Sequence, residues 1–146
     1  MVFDLDGVLA DAAHRQDVLF SGPGRRKNWQ AFFARAGDDA VIGEIARVTE
    51  LLDPDLCLVL LTARPTTIRD LTIEWLAKHG LRWDLLVMRP EGDYRSSPDA
   101  KQLAVHELRS AGFDLRLAFD DDQRNVDMFH AEGVPCVYIH SGYYEA

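Results

Sequence analysis

Five short, mostly apolar segments separated by helical patterns constrain the fold of this 146-residue chain more than any other feature. Their apolar residues follow one another directly instead of alternating with polar ones, which is typical of parallel strands covered by helices on both faces. The predicted strands are residues 1–5, 56–61, 85–88, 115–119 and 134–139. We therefore predict an α/β fold with a doubly wound, mainly parallel five-stranded sheet and helices on both faces.

Helices are predicted between these strands from apolar periodicity and from the positions of prolines. Residues 41–52 place apolar side chains on one helical face. Proline is favoured in the first turn of a helix, so Pro65 is expected to begin a helix that runs to about residue 79. Pro98 is expected to begin another that runs to about residue 110. A last helix is predicted at about residues 124–132.

The segment 10–39 interrupts this alternation after the first predicted strand. It contains a turn rich in glycine and proline and a group of aromatic residues, which are Ser21–Gly24 and Trp29, Phe32 and Phe33. We predict a small flap and one helix here, so that residues 1–146 form a single domain with a minimal cap. The aromatic residues are expected to pack in the core, and the alternative is a wall for a substrate above the site.

The balance of charge limits the classes of partner. The formal net charge is -8, which disfavours non-specific binding to polyanions, because such binding requires clustered lysine and arginine. Arg25, Arg26 and Lys27 form one short basic cluster, which is expected to be a solvated loop.

The two cysteines and the hydropathy of the chain indicate its compartment. Cys57 and Cys136 lie inside apolar segments predicted to be buried strands and are expected to be reduced thiols in the core. We find no signal peptide and no apolar run of the roughly 18 residues that a membrane span requires. A cytoplasmic protein without a membrane partner is therefore predicted.

Polar residues at the ends of the predicted strands are the candidates for chemistry, because ligands of parallel α/β sheets bind beyond the carboxyl ends of strands. They are Asp4 and Asp6 after the first strand, Thr62 after the second, and Asp120 and Asp121 after the fourth. Lys101 lies close to the start of the helix that Pro98 begins.

These residue types suit the binding of a metal ion and a phosphate. Two carboxylates as close as Asp4 and Asp6 repel each other unless a cation lies between them, and Mg²⁺ is the usual hard cation beside phosphate. Lys101 would offset negative charge. The Thr62 hydroxyl and backbone N–H groups at a helix N-terminus would hold phosphate oxygens. Each residue alone has an ordinary structural explanation, but their order at successive strand ends makes coincidence improbable.

Over nearly its whole length the chain resembles the haloacid-dehalogenase (HAD) superfamily of phosphotransferases. The matching motifs, in chain order, are Asp4-Leu-Asp6-Gly-Val8, Leu61-Thr62-Ala63-Arg64, Lys101, and Asp120-Asp121 followed by Asn125. The resemblance implies that Asp4 is the nucleophile that becomes an aspartyl-phosphate and that Asp6 is the general acid and base. It also implies a Mg²⁺ site formed by Asp4, the Asp6 backbone carbonyl, Asp120 and Asp121. Val8 departs from the threonine that the superfamily often has there.

A narrower resemblance, to the 3′-phosphatase domain of bacteriophage-type polynucleotide kinase-phosphatases, lies in the C-terminal half. It is carried by Arg89-Pro-Glu-Gly-Asp93-Tyr-Arg95, Lys101, and the stretches 119–129 and 132–136. It implies a phosphatase that removes 3′-phosphates from polynucleotide ends. The substrate-binding candidates are Thr62, Ala63, Arg64, Arg89, Arg95 and Asn125. Two features depart from those relatives, the net acidity and Asp122, where they usually carry arginine.

Other functions stay open at this point. One is a phosphatase of small molecules such as nucleoside monophosphates, and another is a phospho-accepting receiver or a non-catalytic binding module. The order of the acidic residues disfavours the receiver, because the predicted strand 85–88 does not end in aspartate. The five histidines, His14, His79, His106, His130 and His140, show no spacing typical of a metal site. The strand preference of the enzyme and its oligomeric state do not follow from the sequence.

Overall fold

The computed structural model describes residues 1–20 and 27–144. Its main sheet has five strands in the order β5-β4-β1-β6-β7, and every neighbouring pair in it is parallel. The strands are β1 (Val2–Phe3), β4 (Val59–Pro65), β5 (Leu85–Arg89), β6 (Ala118–Asp120) and β7 (Cys136–Tyr138). The predicted α/β class and parallel five-stranded sheet are therefore confirmed.

Both faces of this sheet are buried, because neighbouring residues along each strand enter different cores. In β4, Leu60 packs with Phe3 in one apolar cluster, whereas Val59 and Leu61 pack with Val2 in the other. This arrangement explains why the strands are apolar at consecutive positions. The rings of Phe3 and Phe119 stack within the first cluster with centroids 4.6 Å apart.

Two pairs of helices cover the two faces. Residues of α2 (Gly43–Leu51) and α3 (Arg69–Lys78) enter the first cluster, and those of α4 (Ser97–Ser110) and α5 (Gln123–Ala131) enter the second. The buried residues of α4 are Lys101, Ala104, Val105 and Leu108, which is the spacing of one helical face. Helical periodicity therefore places Lys101 on the buried side of α4. None of the helices in the described part of the chain is long and apolar enough to span a membrane.

The prediction that Pro65 begins a helix is wrong. Pro65 is the last residue of β4 and pairs with Arg89 of β5, and a 3₁₀ turn (Thr66–Ile68) separates it from α3. Its φ of -73° is compatible with either structure, but its ψ of 153° is extended. Thr62 accordingly lies inside β4 and not after it, beside an irregularity in the pairing between Leu61 and Pro65.

The segment after β1 forms a small separate layer. β2 (Ala10–Asp11) pairs antiparallel with β3 (Ala40–Val41), and α1 (Trp29–Ala34) lies between them in sequence. Asn28 caps α1 by accepting a hydrogen bond from the Ala31 N–H at 3.2 Å. The described residues of this segment also form 3₁₀ turns at Ala13–Arg15, Asp17–Phe20 and Ala36–Asp38.

Core packing of the aromatic residues is confirmed for Phe32, which is buried, whereas Trp29 is about half exposed. Lys27 is exposed and its ammonium lies 5.4 Å from the centre of the Trp29 ring. The predicted turn at Ser21–Gly24 and the arginines Arg25 and Arg26 lie outside the described residues.

Both cysteines are free thiols, as expected, but they are only partly buried. Each packs at the margin of the apolar cluster that contains Val2, because Cys57 precedes β4 and Cys136 begins the edge strand β7.

Candidate active site

The chain turns sharply where β1 ends, and this turn presents Asp4. The Asp4 N–H donates to the Phe119 carbonyl at 3.0 Å, which continues the pairing with β6 by one residue. The N–H groups of Val8, Leu9 and Ala10 then all donate to the Leu5 carbonyl at 2.9 to 3.1 Å, which closes the turn. Gly7 has a φ of 83°, and a Cβ there would overlap the carboxylate of Asp121. Only glycine fits where the turn crosses this carboxylate.

Three buried carboxylates meet at this point. Oxygens of Asp4, Asp120 and Asp121 lie within 4.8 Å of one another. The Lys101 ammonium lies 2.7 Å from Asp120 Oδ2 and 3.2 Å from Asp4 Oδ1. We call these four residues the acidic centre. The structure thus brings together three of the aspartates predicted from the ends of strands and Lys101, which was predicted near the start of a helix.

Asp120 and Asp121 have different surroundings although they are adjacent in sequence. Asp120 accepts hydrogen bonds from Lys101, from the Asn125 amide at 3.2 Å and from the Asp122 N–H at 3.0 Å. Both side-chain oxygens of Asp121 are buried and accept no hydrogen bond from residues 1–20 or 27–144. Asp120 is therefore fixed by protein donors, whereas Asp121 is left to bind something else.

Burial and like charge shift the titration of these groups. Burial raises the pKa of Asp4 well above its usual range, and Asp120 and Asp121 add to the rise while Lys101 opposes it. Burial likewise raises the pKa of Asp121 to about 6, with a further rise from Asp120. Burial by itself would lower the pKa of Lys101, but Asp120 and Asp4 outweigh it and the pKa is raised. Lys101 therefore keeps its charge inside the centre.

The acidic centre has the donor set of a divalent cation site. Three carboxylates face one ammonium, so the ionised centre has an excess of two negative charges. The unpartnered oxygens of Asp121 and the oxygen-only donors suit a hard ion such as Mg²⁺.

A second buried ionic group surrounds Asp6. The Asp6 carboxylate lies 2.7 Å from Arg64 Nη2 and 2.6 Å from Arg15 Nη2. Both guanidiniums also contact Asp39, Arg15 at 2.7 Å and Arg64 at 3.1 Å. We call Asp6, Arg15, Asp39 and Arg64 the arginine network. Burial opposes ionisation of Asp6, but Arg64 and Arg15 together outweigh it and lower its pKa.

The network is anchored to the surrounding helices. Arg64 donates to the Thr72 hydroxyl at 3.2 Å, and the Trp75 indole donates to the Asp39 carbonyl at 2.8 Å. His14 Nε2 lies 2.7 Å from Asp39 Oδ1. The Arg15 guanidinium also lies over the Phe32 ring, 4.3 Å from its centre. Arg15 and Arg64 are fully buried, so neither guanidinium is open to solvent.

Arg64 was predicted to bind the substrate, but in the structure its guanidinium contacts Asp6. Sequence reasoning missed Arg15 and Asp39 altogether, since both lie in the segment predicted to be a flap. An aspartate and an arginine in a polar loop carry no local signal of burial. Their pairing spans 24 residues and depends on how β2 and β3 bring the two ends of the segment together.

A cleft of about 110 Å³ opens beside the acidic centre, between β4, β5 and α4. Its lining includes Thr62, Ala63, Lys101, Arg89 and Arg95. The Thr62 hydroxyl accepts a hydrogen bond from the Arg64 N–H at 3.1 Å. Five of the predicted site residues thus share one cleft, whereas Asn125 is not part of its lining and donates to Asp120.

The arginines of this cleft have different partners. Arg95 forms an ion pair with Asp93 at 2.6 Å. Arg89 donates to the Arg95 carbonyl at 2.7 Å and has no carboxylate partner within the described ranges. Its Nε is buried without a hydrogen-bond partner there. Arg89 therefore forms no ion pair there, although its charge contributes to the lowered pKa of Asp93.

The family described as polynucleotide kinase PNKP phosphatase domain matches residues 1–144 of the chain. The comparison with curated proteins gives no match.

Two solved structures, of the Pnkp1/Rnl/Hen1 complex and the Pnkp1/Rnl/Hen1 RNA repair complex, contain similar chains. Each is 26% identical to this chain, with TM-scores of 0.80 and 0.76, and the match covers 96% and 95% of this chain. It covers 44% and 41% of those chains, so this chain spans less than half their length.

A haloacid dehalogenase-like hydrolase from Streptococcus pneumoniae has the same fold, with a TM-score of 0.65 and 15% identity over 98% of this chain and 89% of that one.

Proposed function

The chain belongs to the family of polynucleotide kinase (PNKP) phosphatase domains and is a phosphatase of the HAD type; from this premise we propose that it removes 3′-phosphates from the ends of polynucleotides, through an aspartyl-phosphate on Asp4 and with Mg²⁺. The observation that carries the proposal is the acidic centre, in which Asp4 lies 3.2 Å from Lys101 and beside the unpartnered Asp121.

In the first step, an oxygen of Asp4 attacks phosphorus and the bond from phosphorus to the 3′-oxygen breaks. Asp6 gives its proton to the departing 3′-oxygen, so a free 3′-hydroxyl leaves. In the second step, Asp6 takes a proton from water while that water attacks the same phosphorus. The bond from phosphorus to Asp4 breaks, and inorganic phosphate and the original carboxylate are restored.

The arginine network holds Asp6 for these proton transfers. Two guanidiniums favour its ionised form, which is the form that accepts a proton from water in the second step. The first step requires protonated Asp6, which is the minor form at neutral pH. The protonated fraction of Asp6 rises as the pH falls. Arg64 therefore acts through Asp6 and not by direct contact with the substrate.

Mg²⁺ would be held by Asp4, Asp121, the Asp6 backbone carbonyl and Asp120, the last directly or through water. When bound, it would neutralise the negative charge of the phosphoryl oxygens. Lys101 contacts both Asp4 and Asp120 through its ammonium, and the Asn125 amide donates to Asp120. The resting geometry of the nucleophile is therefore determined by this chain's own residues.

The cleft lies where the rest of the substrate would enter. The Thr62 hydroxyl and the backbone around Ala63 would hold the phosphoryl group, and Arg89 and Arg95 would contact phosphates of the strand. The main competing substrate is a small phosphate ester, which the net charge of -8 favours because it disfavours long polyanions. The similar chains in the RNA repair complex support polynucleotides, and RNA ends in particular.

The test compares substrates at equal concentration with Mg²⁺. They are 3′-phosphorylated and 5′-phosphorylated oligonucleotides, as RNA and as DNA, 3′- and 5′-mononucleotides, and p-nitrophenyl phosphate. We expect phosphate release to be fastest from the 3′-phosphorylated oligonucleotides and to be lost in Asp4→Asn. Faster release from mononucleotides would contradict the polynucleotide substrate but keep the mechanism. Equal release of phosphate by Asp4→Asn and wild type would contradict the role of Asp4 as the nucleophile.

A further inference from the structure

Tyr94 is exposed to an unusual degree for an aromatic residue on this protein. Its relative exposure is 94%, the highest among the large apolar side chains of the described residues. It lies in the connection between β5 and α4, residues 90–96, which we call the rim loop. Single exposed apolar residues are common on proteins, so the exposure of Tyr94 by itself does not indicate a binding site.

The second observation is that hydrogen bonds fix the backbone on both sides of Tyr94. The Asp93 N–H donates to the Pro90 carbonyl at 3.1 Å, and Gly92 occupies the third position of this turn with a φ of 81°. Arg95 donates to Asp93 through its backbone N–H at 3.0 Å and through its guanidinium at 2.6 and 3.0 Å. These hydrogen bonds from Arg95 lower the pKa of Asp93 to about 2, so Asp93 is ionised and keeps them at neutral pH.

The third observation is the position of the rim loop relative to the site. Asp93 and Arg95, the two neighbours of Tyr94, line the same cleft as Thr62 and Lys101. Arg89, at the base of the loop, holds the loop backbone through the Arg95 carbonyl and has no carboxylate partner in the described part of the chain. An exposed aromatic side chain on a hydrogen-bonded loop thus stands between two residues that line the cleft, and the Arg89 guanidinium and Lys101 line the same cleft.

This combination matches single-stranded nucleic acid, in which charged phosphates and flat bases alternate. Proteins bind such strands by pairing arginine or lysine with phosphates and by stacking bases on aromatic side chains. A rigid loop favours stacking because little conformational entropy is lost when the base binds.

We propose that Tyr94 stacks on a base of the strand that carries the terminal 3′-phosphate, which makes the rim loop a strand-binding subsite beside the catalytic cleft. The inference rests on the proposed polynucleotide substrate and extends it, because Tyr94 then determines specificity for polymers over small phosphate esters.

The test measures the ratio of kcat/KM for a 3′-phosphorylated single strand of about ten nucleotides to that for p-nitrophenyl phosphate, in wild type and variants. We expect the ratio to fall about tenfold in Tyr94→Ala, mainly through a higher KM for the oligonucleotide, and to stay within about twofold in Tyr94→Phe. Tyr138→Ala is the matched control, since Tyr138 is a partly exposed tyrosine in β7 at the opposite edge of the sheet. Its ratio should equal that of wild type.

A scan with single abasic nucleotides then identifies the stacked base. In wild type, one position near the 3′ end should raise KM about tenfold when its base is removed. In Tyr94→Ala, removal of that same base should have no further effect, because the interaction is already lost.

The outcomes separate this inference from the proposed function. A wild-type enzyme that does not favour the oligonucleotide overturns both. A wild-type enzyme that favours it, together with a Tyr94→Ala variant that keeps the full ratio, overturns the role of Tyr94 alone. Loss of the ratio in Tyr94→Ala with no position sensitive to base removal also overturns stacking and indicates a contact with the strand backbone or with a protein.

Discussion

The acidic centre and the arginine network are two buried ionic groups on the same turn of the chain, and they differ in charge balance. In the network, the two carboxylates of Asp6 and Asp39 meet two guanidiniums. In the centre, three carboxylates meet the single ammonium of Lys101. Asp4 and Asp6 are separated by one residue, yet Asp4 belongs to the unbalanced group and Asp6 to the balanced one.

The difference shows how burial of charge is used in the two places. Buried charges are costly unless they are paired, so a balanced network can serve as a scaffold that needs no ligand. An unbalanced group with unpartnered oxygens is less stable by itself and gains stability from a cation that enters it. The resulting shifts have opposite signs, because the pKa of Asp6 is lowered whereas those of Asp4 and Asp121 are raised.

The two ionic groups differ most clearly in the variants Asp4→Asn and Asp6→Asn. We expect Asp4→Asn to lower kcat at least about 10⁴-fold without loss of stability, because it removes the nucleophile and one of three like charges. Asp6→Asn should lower kcat about 10²- to 10⁴-fold. It should also destabilise the fold by roughly 1–3 kcal/mol, since two buried guanidiniums lose a partner. Phosphate release and urea unfolding measure both effects.

The control for this pair is Asp55→Asn, which changes an exposed carboxylate away from both groups. It should match wild type in both measurements. A stable Asp6→Asn would show that the network does not depend on Asp6 for its charge balance.

Arg15→Ala removes one of the two positive charges of the arginine network. Removing one member of a buried ionic group costs about 3–5 kcal/mol, because Asp6 and Asp39 then share Arg64 alone and one buried negative charge is left unbalanced. Urea unfolding of Arg15→Ala should show this loss. Arg47→Ala, which disrupts an exposed pair with Glu50, should change the free energy of unfolding by less than about 1 kcal/mol.

A double variant, Arg15→Met with Asp39→Asn, makes the measurement specific to the pair. The double variant should lose less free energy of unfolding than Arg15→Met and Asp39→Asn lose in sum, because neither change then leaves an unpartnered charge. Additive losses would contradict the pairing.

The excess charge of the acidic centre should appear as a pH dependence of stability. The pKa of Asp121 is raised to about 6 in the folded chain, so its ionisation opposes folding. Without metal, its contribution is neutral below about pH 4 and becomes destabilising as the pH rises to about 6. Asp121→Asn in EDTA should therefore gain stability relative to wild type over this range, by on the order of 2 kcal/mol. Urea unfolding at intervals from pH 4 to pH 7 measures the difference, and a constant difference would contradict the shift.

Mg²⁺ should stabilise wild type and not the variant that lacks the free ligand. At a concentration about 100 times its Kd, a ligand that binds only the folded state adds about 2.7 kcal/mol, and Tm should rise by several degrees. The rise should be largely absent in Asp121→Asn and should persist in Asp127→Asn, whose carboxylate is exposed on α5. Equal rises in all three proteins would place the ion elsewhere.

The class of fold and the principal members of the acidic centre could be predicted from the sequence because both leave local signals. Consecutive apolar residues indicated buried parallel strands, and the polar residues that end them mark one edge of the sheet. Asp4, Asp120 and Asp121 lie at or just beyond strand ends, and Lys101 lies on the buried face of α4. The boundary at Pro65 was predicted incorrectly, since the φ of proline suits both the end of a strand and the start of a helix.

The succession of strands and helices along the chain, and the residues at their ends, therefore follow from local sequence patterns. Which charges meet depends on how the chain packs. Asp39 contacts Arg15 and Arg64 across 24 and 25 residues, and Arg64 contacts Asp6 across 58. Only packing separates Asp120, which protein donors hold, from Asp121, whose oxygens are left for a cation. The physical reason is that periodicity and turn chemistry act over a few residues, whereas the energy of a buried charge depends on every group that the fold brings around it.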